Sequence, residues 1–299
     1  MEEKKLVIDS QYVGEPWPVV KRRVTWHQTT DYAAVIGDMN PLYVDDERDG
    51  GVIAPPMFAV TCGWYVRRDY NKYSIKPLPD EILNNDVHYT LHVEYFKPIQ
   101  PGITEDGVEL SISPMIHALI PQRAGTNMVY RYEVRDEAGD LCHIEYNGCM
   151  LRGVSCPDGG KGELPATPAP SSTDNVIWSK KIHFSREMLY IYDMANSGGF
   201  AIHTSPRFAH SVGLPDPLVQ GVQTIAVAVR ELTYMFADGD GRRVKILAAK
   251  LKGMVFAEND VSIQLLEKDV HPEYTDLFYQ VVNQEGKVVV GNGYLRLIA

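Results

Sequence analysis

The sequence predicts an α+β protein written twice: two antiparallel sheets, each wrapped around one long helix. Three observations carry that prediction. First, "SCPDGGKGELPATPAPSSTDN" (155–175) is dense in Pro, Gly and Ser and poor in apolar residues, as a linker is. It divides the 299 residues into halves, 1–154 and 176–299. Second, each half shows the same order of features: alternating stretch, short helix, turn, long apolar helix, then a meander of alternating runs. Third, the long helix of each half is apolar over most of its circumference, as a helix enclosed by a sheet must be.

The elements follow in order. "VVKRRVTW" and "NVIWSKKIHFS" alternate with period two and read as opening strands. "TTDYAAVIGD" and "REMLYIYDMANSG" read as short helices, with Thr30 and Ser185 as N-caps and Gly37 and Gly198 as stops. A polar turn follows, and then the long helices. These are "PPMFAVTCGWYVRRDY" (55–70), entered through prolines whose missing N–H costs little there, and "GVQTIAVAVRELTYMF" (221–236). The strand meanders close each half. Their late turns, "EAGD" and "QEGK", are each followed by an "NG" and an "LR" pair, a short internal correspondence in matching places.

Composition narrows the function. The chain is 44% hydrophobic and 23% charged, with a net charge of −10 that would repel polyphosphate, so nucleic acid is not expected as a partner. The basic patches "KRRVTW" and "VRRDY" read as solvated faces. No apolar run approaches the roughly 20 residues that cross a bilayer, and the charged N-terminus does not resemble a signal peptide. Four cysteines without CxxC or zinc spacing imply neither metal nor disulfide framework, and a cytoplasmic location is the expectation. No P-loop, dinucleotide fingerprint or GxSxG occurs.

The stretch "YAAVIGDMNPLYVD" followed by "GVIAPPMFA" carries a resemblance. It resembles the MaoC-like dehydratases, which include (R)-specific enoyl-CoA hydratases and have the double hot-dog fold. Their motif runs Gly-Asp, any residue, Asn-Pro, an aliphatic residue, then His. Gly37, Asp38, Asn40, Pro41 and Leu42 match it, and Tyr43 stands where the His belongs. The resemblance therefore implies a non-catalytic first half, in which Asp38 and Asn40 serve the turn and Tyr43 fills the space of a lost imidazole.

In the second half, "YDMANSGGFAIHTSPRFAHSVGLPDPLVQG" lies on the same pattern. Ile202 and His203 match its end, while Gly198, Phe200 and Ala201 replace the family's Asp, Asn and Pro. Gln220 stands where a His commonly precedes the helix-opening Gly221. One half thus keeps the carboxylate and the other the imidazole, and the two are expected to line different clefts.

What the resemblance implies is water addition to, or elimination from, an acyl-CoA thioester. His203 is the first catalytic candidate, an imidazole being poised near neutral pH. Its partner is sought among Asp193, Asn196 and Ser197. The Gly221 amide, at the positive end of a helix, is the expected oxyanion donor, with Gly allowing close approach of the thioester. Gln220, Gly198 and Phe200 complete the expected substrate contacts, and bulky Phe200 and Tyr192 hint at a short or specially shaped acyl pocket. No cofactor is expected beyond coenzyme A within the substrate. A homo-oligomer is expected, because sheet edges seek partners. The rival readings are thioester hydrolysis, another thioester reaction, and acyl-CoA binding without turnover, since function resides in the altered site and not in the fold.

Overall fold

The computed structural model describes residues 5–196 and 198–299. Its strands form one antiparallel sheet whose order, β1-β3-β4-β5-β2-β7-β10-β9-β8-β6, is the same sequence of positions read outward twice from the centre. The first half supplies β1 (Val20–Val24), β2 (Asp86–Tyr95), β3 (Val108–Gln122), β4 (Gly125–Arg135) and β5 (Leu141–Arg152). The second supplies β6 (Trp178–Phe184), β7 (Val244–Leu251), β8 (Asn259–Val270), β9 (Tyr274–Asn283) and β10 (Val288–Ile298). The two expected sheets, of five strands each, are fused edge to edge. β2 and β7 pair from Thr90↔Lys250 to Glu94↔Ile246, which satisfies two edges at once.

The first half contains α1 (Trp26–Val35), α2 (Pro41–Val44), α3 (Val60–Arg67), α4 (Tyr70–Tyr73) and α5 (Asp80–Leu83). The second contains α6 (Arg186–Asn196), α7 (Ala201–Thr204), α8 (Pro206–Ser211) and α9 (Gly221–Phe236). α1 begins earlier than its sequence suggested. Thr25, not Thr30, is the N-cap, in a reciprocal box with Gln28, and the Thr30 hydroxyl instead donates to the Tyr43 carbonyl at 3.0 Å. Gly37 ends this region in the left-handed conformation at φ +71°, as expected, but after α6 the left-handed residue is Gly199 at φ +66°, one position beyond Gly198.

The two central helices differ. α9 runs unbroken for 16 residues, with Val222 to Val229 all buried. Each fully buried Val or Ile there contributes about 1.5–3 kcal/mol relative to exposure. The expected first-half helix over 55–70 is shorter: a 3-10 turn, Pro56–Ala59, leads into α3, which stops at Arg67. Consecutive prolines cannot supply the N–H groups of a regular α-helical start, and the entrance tightens accordingly.

α3 packs on β3 and β5, α9 on β7 and β10, and α1 meets α6, where the Tyr32 and Tyr192 hydroxyls sit 3.0 Å apart. Both halves share one continuous apolar core. Among the described residues no helix is long and apolar enough to cross a membrane.

Candidate active site

The second-half turn assembles at the entrance of α9. His203 lies on the single helical turn α7, and the neighbouring chain is stitched to it by the Leu218 N–H bond to the Ile202 carbonyl, 3.1 Å. In return the His203 Nδ1 hydrogen donates to the Leu218 carbonyl at 2.9 Å. That bond fixes the tautomer, leaving Nε2 unprotonated with its lone pair available. The ring is half-buried, not sealed in solid protein. Burial pulls its pKa below the ordinary imidazole value, against the smaller opposing effects of the Leu218 carbonyl and the Asp193 charge.

Asp193 and Asn196, one turn apart on α6, both reach Gln220. The Gln220 amide donates to Asp193 Oδ1 at 2.9 Å, and the Asn196 amide donates to Gln220 Oε1 at 2.8 Å. Asp193 Oδ2 also accepts from the Gly199 N–H at 3.3 Å. Gly198 is wedged beside this cluster: a Cβ there would sit 2.9 Å from Asp193 Oδ1 and 3.3 Å from the Gln220 amide. Gln220 is the N-cap residue of α9 but makes no side-chain capping bond, its amide being committed to the α6 pair. The first turn of α9 is therefore uncapped by any side chain, and it begins three residues after Leu218, whose carbonyl holds His203.

Two expectations change here. Gly221 was expected to open space for a ligand, but a Cβ there would lie 2.4 Å from Leu251 Cδ1. The missing side chain is filled by Leu251 of β7, so this glycine is required by helix–sheet packing. Tyr192 was expected to wall the acyl pocket, but it is fully buried against Tyr32 between α1 and α6. Ser197 lies outside the described residues. Phe200 is on the rim, 37% exposed, with its ring edge-on to Trp64 of α3 at 5.7 Å. That contact brings α3 of the first half against the His203 segment, a neighbour that nothing near position 203 announces.

The first-half turn sits at the other end of α9. The Tyr234 hydroxyl donates to Asp38 Oδ1 at 2.9 Å, and burial raises the Asp38 carboxyl. Asn40 Oδ1 accepts the Leu42 N–H at 2.9 Å, capping α2, and its amide donates to the Gly239 carbonyl at 2.9 Å. Tyr43 is 1% exposed, and its hydroxyl accepts the Gly241 N–H. A Cβ at Gly241 would come within 2.1 Å of that oxygen. The sixteen residues of α9 span about 24 Å, so the two turns are far apart. At the entrance matching Gly221 stands Pro56, which has no N–H to offer. A cavity of about 240 Å³ borders this turn, lined in part by Asp38, Tyr43, Pro56 and Arg230. A larger cleft of about 570 Å³ lies between Pro55–Ala59 and Val244–Lys245, and His203 lines neither. Among the described residues no group of three or more His, Cys, Asp or Glu side chains could hold a metal.

Comparison with known proteins agrees with this architecture. Residues 171–290 match the MaoC like domain, and residues 11–140 match the FAS1-like dehydratase domain region. The chain is 24% identical over 264 residues to the peroxisomal multifunctional enzyme type 2 of Drosophila melanogaster, covering 87% of this chain and 42% of that protein. It is 23% identical over 150 residues to a probable enoyl-CoA hydratase 2 of Dictyostelium discoideum, covering 48% of each. It thus spans less than half the length of these relatives. Among solved structures, a MaoC-like dehydratase from Phytophthora capsici superposes with a TM-score of 0.78 at 20% identity, over 96% of this chain and 97% of that one.

Proposed function

For this chain, which belongs to the MaoC-like dehydratases, we propose reversible addition of water to a 2-enoyl-CoA thioester at the second-half cleft. The observation that carries the reading is the His203 ring, held through Nδ1 by the Leu218 carbonyl beside the uncapped start of α9. Nε2 takes a proton from water as the water oxygen bonds to the β-carbon. The electron pair of the double bond moves through the α-carbon to the thioester oxygen, where the Gly221 N–H and the helix dipole stabilise it. The resulting imidazolium returns the same proton to the α-carbon, so a single base adds H and OH with atoms and charge balanced. No metal or redox cofactor takes part in this step.

Asp193 stands in for the carboxylate missing at Gly198. Its charge favours the imidazolium, while its bond to Gln220 keeps it on the α6 side of the cleft. Asn196 fixes Gln220 from the opposite direction and so holds that carboxylate in place.

The test follows two signals from one incubation with crotonyl-CoA or 3-hydroxybutyryl-CoA: the conjugated enoyl absorbance and free thiol. Enoyl loss without thiol is expected. Thiol release would move the reading to hydrolysis, in which the same imidazole directs water at the carbonyl carbon. No change in either signal would leave only the fold.

A further inference from the structure

The cleft of about 570 Å³ between Pro55–Ala59 and Val244–Lys245 takes no part in the proposed hydration. It lies on the seam of the two halves. The loop leading into α3 and the end of β2 form one wall, and the start of β7 with Ile298 of β10 forms the other. Gly241 and Arg242, in the turn after α9, also line it, so it borders the opposite end of that helix from His203. At the helix entrance on this side stands Pro56, which has no N–H for a thioester oxygen.

The charge of this cleft is one-sided. Among the described residues Lys97, Arg242 and Lys245 line it and no carboxylate does, in a chain whose net charge is −10. The carboxylates that neutralise two of these cations lie outside the lining: Asp136 and Asp140 on Lys97, at 2.6 and 2.7 Å, and Asp240 on Arg242, at 2.6 Å. Asp240 takes the Nε and Nη2 edge of that guanidinium, which leaves Nη1 without a protein partner among the described residues. Lys245 makes no ion pair among them, and its ammonium lies 4.8 Å from the centre of the Phe96 ring.

The rest of the lining is largely apolar. Ile53, Ala54, Ile99 and Val244 are buried in its walls, and Phe96 and Ile298 stand exposed on its rim. Two other polar side chains belong to it. The Tyr95 hydroxyl is committed to the Pro56 carbonyl at 3.0 Å, and His143 is neutral, burial driving its pKa down to about 3. Arg242 is exposed and Lys97 and Lys245 are half-buried, so charge lies toward solvent and hydrocarbon within.

We propose that this seam cleft is a second, non-catalytic ligand site, and that it takes an organic monocarboxylate with an apolar body. The site is independent of hydration at His203. Its volume falls in the range of about 300–1,000 Å³ that small-molecule sites occupy. The two cationic donors left over, on Lys245 Nζ and Arg242 Nη1, equal in number the two oxygens of one carboxylate. A phosphate dianion would bring its second charge to Lys97, which two aspartates already neutralise. A sugar or base would lose water to walls whose one hydroxyl is taken, and a cationic amphiphile would meet like charge. A carboxylate held here touches both halves, and with no N–H at Pro56 and no catalytic base beside it, it is bound without being turned over.

The test is binding of simple amphiphiles to the full chain. Octanoate, octyl phosphate, octanol, octyltrimethylammonium and acetate are titrated calorimetrically against the wild type, Lys245→Gln and Arg242→Gln, two substitutions outside the core. Octanoate is expected to saturate one site and to bind about tenfold or more tighter than octanol, the ammonium or acetate. In each variant its Kd is expected to rise about threefold or more while that of octanol holds. Butanoyl-CoA is expected to leave octanoate binding unchanged. Octanoate that fails to saturate, or octanol that binds as tightly, would overturn the inference. Octyl phosphate binding tighter than octanoate would overturn the ligand class. An octanoate Kd unmoved by both substitutions, or displacement of octanoate by butanoyl-CoA, would overturn it by placing the anion elsewhere. The enoyl-CoA assay is read separately, so failure of either result leaves the other standing.

Discussion

Glu145 gives the sharpest stability prediction. Its carboxyl is fully buried, with Oε1 held by the Asn147 amide at 2.8 Å, and burial raises it from 4.5 to about 8. Between those values the folded protein keeps a proton that the unfolded chain has released. The sign follows directly: this group lowers stability as pH rises through that window, and the loss levels off above it. At about 1.4 kcal/mol per pH unit, the wild type loses about 3 kcal/mol from this side chain between pH 5.5 and pH 9. Glu145→Gln keeps the shape and does not titrate, so it loses none, while the Arg67–Asp86 pair is common to both proteins. Urea unfolding of the two proteins at pH 5.5, 7 and 9 reads the difference. It is expected to shift in favour of the glutamine variant by about 3 kcal/mol across the range. A difference that stays flat with pH would refute the assignment of a buried neutral carboxyl.

Three further outcomes follow. Because burial holds His203 below the ordinary imidazole value of 6.5, kcat/KM for hydration should fall on acidification, as the base becomes protonated, with a midpoint below 6.5; a midpoint above 6.5 would contradict that. Tyr43→Phe removes the acceptor for the Gly241 N–H and should cost about 1–3 kcal/mol in urea unfolding; on the proposal that this turn is scaffold, kcat/KM is expected to be unchanged, and a loss of kcat/KM would contradict that proposal. Gly221→Ala drives a Cβ into Leu251 and should cost about 1–3 kcal/mol, recovered in part when Leu251→Ala is added; no cost in the single variant would show that the helix entrance has slack.

Much of the architecture could be read from the sequence because its signals are local and repeated. Period-two runs, turn residues and two apolar helices each announce themselves within a short window, and the linker marks where the pattern restarts. The fusion of the sheets through β2 and β7 could not be read, since either strand would alternate in the same way at an edge. The shortening of the first central helix was partly visible in Pro55 and Pro56, whose effect on the entrance is steric and local.

The site was legible only along the chain. His203, Asp193, Asn196 and Gln220 fall within 28 residues; the structure joins the last three in one amide network and holds His203 separately on the Leu218 carbonyl. What sequence reasoning missed lies across the fold. The Leu218 carbonyl that sets the His203 tautomer is a backbone atom with no residue signature. Trp64 reaches Phe200 from a helix more than a hundred positions away. The buried Glu145 carboxyl did have a signal: it sits in an otherwise buried alternation, "HIEYNG", where the matching stretch of the second half reads Val. Comparing the halves position by position exposes it.

The central claim is that one imidazole at position 203 moves the proton of water. Its most direct measurement is kcat/KM for an enoyl-CoA substrate in the wild type and in His203→Ala, with circular dichroism and unfolding confirming that both are folded. The account predicts a loss of at least a hundredfold in the variant, with the fold intact. Equal kcat/KM in the two proteins would remove His203 from the chemistry and contradict the account.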